Sequence, residues 1–192
     1  MLNAAEIGRG VQGALGFLWR DPGALLAFDN TMEACLRSFR LMAVTAPLYV
    51  IYALIRYADL AVAIDTFELI AIETMSYVVN WLLYPVIFYE IARHRGWVDR
   101  YPRYIAALNW SNLPQYIMLL VAQSIASLVP SLATPLALAL QVVLFYWFMM
   151  VTRLGLGVSW LHASLLMVVS YVPSFFVSYL VSRFLGIGVA GG

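Results

Sequence analysis

Apolar residues along this chain gather into five long runs, separated by short segments that hold most of the charge. The runs extend over about Leu41–Ala58, Leu69–Ile91, Leu113–Leu128, Leu136–Val151 and Trp160–Val181. A helix needs about 20 mostly apolar residues to cross about 30 Å of hydrocarbon, and the runs approach or exceed that length. The pattern predicts an all-α, polytopic integral membrane protein with five transmembrane helices. Water would not tolerate so much apolar surface.

Ahead of the first run, Ile7, Val11, Leu15 and Leu18 recur at helical spacing, with Glu6, Arg9 and Gln12 turned elsewhere. That predicts an N-terminal amphipathic helix lying on the membrane. Its glycines, Gly8, Gly10, Gly13 and Gly16, each cost about 1 kcal/mol of helix propensity relative to alanine, so order is expected only on docking. The same glycines and Glu6 interrupt the apolar core that a cleavable signal needs. Asp21-Pro22 reads as a helix start, and Asn30 with Glu33 as a variant capping box. Pro47, Pro85 and Pro173 fall inside runs, where each removes a backbone donor. Tyr104–Tyr116, with Asn109, Ser111 and Asn112 around Trp110, reads as an interfacial helix that breaks at Pro114 before the third run. Three parts result: an interfacial segment 1–38, a five-helix domain 39–185 and a glycine-rich tail 186–192.

Charge decides orientation. All eleven cations are arginine, which reads first as the mark of a GC-rich bacterial genome. Arg9, Arg20, Arg37 and Arg40 precede the first run; Arg93, Arg95, Arg100 and Arg103 lie between the second and third; Arg153 follows the fourth. The opposite side holds Arg56, Asp59, Asp65, Glu68 and Glu73, and then Arg183. The positive-inside rule places the N-terminus in the cytoplasm and the C-terminus in the periplasm of a bacterial inner membrane. Trp97, Trp110 and Trp160 fall at the cytoplasmic boundary, as an aromatic belt would.

Charged and amide side chains inside runs need partners. Arg56 and Glu73 share the outer boundary, so either an Arg56–Glu73 pair or a local Arg56–Asp59 pair is expected. Glu90 and Arg93 suit a surface pair three residues apart. Asn80, Gln123 and Gln141, on the second, third and fourth runs, suit interhelical hydrogen bonds; if they converge, they could recognise a small polar ligand. Ser170, Ser174, Ser178 and Ser182 recur every four residues on one face of the last run. They read as a small-residue seam for close helix approach, the alternative being a polar lane along a substrate path. Arg100 and Arg103 could meet a lipid phosphate, although anchoring is the simpler role.

No catalytic or metal site emerges. The single Cys35 excludes an internal disulfide and any cysteine-based metal cluster, and His94 and His162 flank runs far apart in sequence. Phosphate-binding glycine loops, HExxH and GxSxG are missing, no carboxylate pair lies deep in the membrane, and no basic surface suits nucleic acid. No cofactor is expected.

The layout resembles the Yip (Ypt-interacting-protein-like) family of small five-span membrane proteins. Trp19–Asp29 (WRDPGALLAFD), Phe88–Gly96 (FYEIARHRG) and Tyr104–Trp110 (YIAALNW) are similar to stretches of its bacterial members. The resemblance implies a non-enzymatic protein that binds other membrane proteins or organises the membrane, and it carries over no catalytic residue. The long acidic or proline-rich cytoplasmic extension of eukaryotic members is not expected here. The expected work is that of an accessory or scaffold subunit whose partners are the lipid bilayer, other integral membrane proteins or a second copy of itself. The alternatives are a small transporter or channel for a polar solute and a lipid-handling protein.

Overall fold

A computed structural model describes residues 2–58 and 64–186. Among them every regular element is helical, with seven α-helices joined by short 3-10 turns. Helix α1 covers Ala4–Gly16, α2 Met32–Ser38, α3 Leu41–Tyr57 and α4 Thr66–Arg95. Helix α5 covers Tyr101–Leu128, α6 Ala133–Leu156 and α7 Trp160–Phe184. Their ends carry local signals. Asp65 accepts a hydrogen bond from Glu68 N at the start of α4, and Ser159 does so from His162 N at the start of α7. Gly96 and Gly157 close α4 and α6 with φ of 68° and 65°, a left-handed conformation that glycine adopts without a Cβ clash.

Four stretches are long and apolar enough to cross a membrane: Met32–Tyr57, Thr66–Arg95, Pro130–Leu156 and Trp160–Phe184. The chain is therefore built as an α-helical membrane protein. Helix α5, although 28 residues long, is not one of the four. Its middle carries Asn109, Ser111, Asn112, Gln115 and Gln123, and it packs among α1, α2, α3 and α6. The break expected at Pro114 does not occur, because α5 runs through that proline without interruption. Helices α3, α4 and α7 likewise continue across Pro47, Pro85 and Pro173.

The long helices close into a ring in the order α3, α4, α7, α6, α5. Across it, α4 and α5 meet mainly through aromatic side chains. Phe88 and Tyr104 lie edge to face at 4.7 Å, Tyr77 and Tyr116 are 5.7 Å apart, and Trp81 stacks on Tyr116 at 6.1 Å. The Tyr84 and Tyr104 hydroxyls share a hydrogen bond of 2.7 Å, and Tyr104 and Thr152 share one of 3.0 Å. Tyr104, Phe88 and Trp147 are wholly buried.

The N-terminal segment is held by protein. At Gly10 the Trp110 ring occupies the space a Cβ would need, and Gly13 leaves room for Ala27. Trp147 Nε1 donates to the Ala14 carbonyl at 3.0 Å. Arg20, in a left-handed turn with φ of 58°, donates to the Tyr146 hydroxyl at 2.9 Å. Trp110, expected at the lipid boundary, is thus buried under α1, and Asn109 and Ser111 are buried with it.

The capping box expected from Asn30 and Glu33 is displaced by one residue. Thr31 caps α2 by accepting from Ala34 N at 3.2 Å. Asn30 instead reaches the α4–α5 loop, where it donates to the Asp99 carbonyl at 2.7 Å and accepts from Arg103 N at 3.2 Å. The Arg103 N–H belongs to the first turn of α5, where helical donors lack intrahelical partners. Asn30 therefore caps a helix that begins about seventy residues later.

Candidate functional site

Two constellations inside the ring use the polar residues that the sequence marks out. The first surrounds Glu73, which is 5% exposed. Ala53, Tyr57 and Leu69 form an apolar cluster where the C-terminal end of α3 meets the N-terminal part of α4. Tyr57 donates its hydroxyl to Glu73 Oε1 at 2.6 Å, and Tyr49 donates to Oε2. Tyr49 and Tyr57 are eight residues apart on α3, which sets both hydroxyls on the face toward α4.

Among the described residues Arg56 and Glu73 form no ion pair; the pairs present are Arg37–Glu6 at 2.9 Å and Arg93–Glu90 at 3.2 Å. Arg56 is exposed, with its guanidinium 5.3 Å from the Tyr57 ring centre. The expected Arg56–Glu73 pair is replaced by two phenols, which satisfy the carboxylate while leaving the guanidinium free to reach outward. Asp59, the other expected partner of Arg56, lies outside the described residues, as does the tail beyond Gly186.

The second constellation is a cavity of about 270 Å³ between α4, α5, α6 and α7. Asn80 enters from the middle of α4, Asn112 and Gln115 from the middle of α5, and Ser170 and Ser174 from the middle of α7. Pro85 lines it directly, while Pro114 and Pro173 sit next to lining residues. Asn80 Nδ2 donates to the Ser76 carbonyl at 2.9 Å, which leaves its buried Oδ1 without a partner. Trp81, 5% exposed, also lines the cavity, and its indole N–H is unpartnered. Two orphaned groups at one cavity are notable, since buried polar atoms are normally satisfied.

The three amides do not converge. Gln123 and Gln141 line a separate cavity of about 200 Å³ with Tyr52, between α3, α5 and α6. The serine stripe divides as well. Ser170 and Ser174 face the interior cavity, Ser178 is exposed and Ser182 is half-buried. Ser174 donates to the Ser170 carbonyl at 3.1 Å, within reach of the turn where Pro173 removes a donor.

Two further clefts lie at the arginine-rich end. One, of about 620 Å³, is lined by Glu6, Arg9, Asp29, Glu33, Arg37 and Trp110. The other, of about 370 Å³, brings His94 and His162 together beside Glu90 and Trp97, a meeting that their separation in sequence conceals. Among the described residues no three histidine, cysteine or acidic side chains are placed to hold a metal ion. Arg100, considered for a lipid phosphate, donates to the Leu156 carbonyl at the end of α6.

Comparison with models of protein families, with curated proteins and with solved structures finds no match.

Proposed function

We propose that this chain is a non-enzymatic accessory or scaffold protein of a bacterial inner membrane, which works by holding other membrane proteins or a second copy of itself. In this reading five helices cross the bilayer, with α5 as the fifth. Length supports that role, since 28 residues at about 1.5 Å each reach beyond the hydrocarbon thickness, and its polar middle is covered by neighbouring helices. The N-terminus and the arginine-rich loops face the cytoplasm.

The observation that carries the reading is the apolar face that α7 leaves exposed while packing against α4 and α6. Only 6% of its most apolar stretch is buried within the chain. Val168, Val172, Phe175, Phe176 and Tyr179 all stay exposed. Aromatic and branched side chains at this spacing make a continuous outward ridge, suited to knob-and-groove packing against another transmembrane helix. The resemblance to Yip proteins supports the same kind of work. Its three fragments all contribute to one buried cluster, through Ala24 and Phe28, through Phe88 and Ala92, and through Tyr104 and Ile105.

The test is affinity purification from nanodiscs, with mass spectrometry and mass determination of the particle. A stoichiometric membrane partner, or a defined homo-oligomer, is expected, and it should be lost when Phe175 and Phe176 are both changed to alanine. A bare monomer in the parent protein overturns the reading. A second reading, the handling of a small polar solute or lipid, draws on the cavity that brings Asn80 to Ser170 and Ser174.

A further inference from the structure

We infer that the cavity between α4, α5, α6 and α7 is a binding site for a small, uncharged, flat-ringed molecule that carries both a hydrogen-bond donor and an acceptor. The inference deepens the second reading above and is independent of the scaffold reading.

Each part of that description follows from the lining. No arginine, aspartate or glutamate lines the cavity, and transfer of an unpaired charge into such surroundings is strongly unfavourable. The occupant is therefore neutral. Asn80 Oδ1 is an acceptor without a donor, and Trp81 Nε1 is a donor without an acceptor. An apolar occupant would leave both unsatisfied, so the molecule supplies one group of each kind. Asn112, Gln115, Ser170 and Ser174 add donors and acceptors around the same space.

The walls argue for a ring. Trp81 and Tyr116 lie nearly parallel, 13° apart. Tyr84, Phe148 and Tyr171 complete an aromatic surround, and flat rings pack against such faces and edges favourably. The volume of about 270 Å³ suits one substituted ring rather than a whole lipid. Such a ring could arrive from water, or as the head of a membrane-dissolved molecule whose chain stays outside.

Benzamide serves as the water-borne probe, 4-octylbenzamide as the membrane-dissolved one and benzoate as the charged control, each titrated onto the full chain in nanodiscs by ligand-detected NMR. At least one benzamide is expected to bind, and benzoate at least about tenfold more weakly. Binding of benzamide itself identifies a route from water; binding of the octyl compound alone identifies a membrane source. Trp81→Phe keeps the ring stacking but deletes the N–H, and should weaken binding about tenfold, the effect of one hydrogen bond. Asn80→Leu should do the same, Ser174→Leu should abolish binding by filling the space, and Gln123→Leu in the other cavity should leave it intact. Absence of binding by both benzamides, or unchanged binding in folded Trp81→Phe protein, overturns the inference. Partner recovery is read in the same preparations, so the scaffold reading stands or falls separately.

Discussion

Tyr57 and Glu73 are joined by a hydrogen bond of 2.6 Å across the α3–α4 interface, near the C-terminal end of α3. With Tyr49 on the second oxygen, both acceptors of a buried acid are used, and α3 is pinned to α4 at that level. A carboxylate in the bilayer region is tolerated only where such partners surround it. The consequence is measurable. Tyr57→Phe strands one oxygen and should cost about 1–3 kcal/mol. Glu73→Leu, which removes the need for partners, should cost less than the double change of Tyr49 and Tyr57 to phenylalanine. Unfolding in mild detergent ranks the three variants, and equal midpoints for all would remove the pin.

Asn30 and α5 give a second prediction. Asn30→Ala deletes the acceptor for Arg103 N and the donor to Asp99 O, whereas Asn30→Asp keeps an acceptor and adds a charge that a helix N-terminus favours. Hydrogen exchange at the first turn of α5 should accelerate in the alanine variant and stay near the parent rate in the aspartate variant. Matching rates in the alanine variant and the parent would show that the turn does not depend on this cap.

The glycines of α1 make a third. Gly10→Ala drives a methyl group into the Trp110 ring, with an overpacking penalty of about 1–3 kcal/mol. Gly8 has no atom within 4 Å of a built Cβ, so Gly8→Ala should only gain helix propensity, by up to about 1 kcal/mol. Limited proteolysis of the N-terminal segment should quicken in the first and not in the second. Equal cleavage would mean that α1 does not rely on the close approach at Trp110.

Sidedness provides a fourth. In a Cys35→Ser background, Arg95→Cys and Ser131→Cys should react with an impermeant maleimide from opposite faces of the membrane, Arg95 from the cytoplasm and Ser131 from the periplasm. Labelling of both from one face would show that α5 does not cross.

The elements most legible in the sequence are those whose signals are local. Helices α4, α6 and α7 announce themselves through the apolar runs Leu69–Ile91, Leu136–Val151 and Trp160–Val181, which the structure extends to the caps Asp65, Gly96, Gly157 and Ser159. The first half of α5 was obscured because its polarity suggests contact with water. In the fold, Asn109 Nδ2 instead donates to Ser38 Oγ at 2.8 Å, beneath elements distant in sequence. The role of Asn30 is hidden for the same reason, since its partners Asp99 and Arg103 lie beyond the reach of any local pattern. For Glu73, the need for a partner was legible but its identity was not. Opposite charge suggested Arg56, whereas Tyr49 and Tyr57, two turns apart on α3, carried the quieter signal. Asn80 and the serine stripe were marked by type alone, and only the closure of the ring brings Asn80 to Ser170 and Ser174 while sending Gln123 and Gln141 elsewhere.

Ala14 and Trp147 are joined by a hydrogen bond spanning 133 positions of chain. Helix α1, translated well before α6, therefore cannot complete its docking until α6 has been made. Gly10 waits similarly for Trp110, and Asn30 for Arg103. While the intervening helices enter the bilayer, the N-terminal segment has no finished surface to settle on, and its four glycines give it little tendency to hold a helix alone. A segment translated ahead of the long helices is thus among the last to commit. Its docking reports that the arginine-rich ends of α5 and α6 have come together correctly.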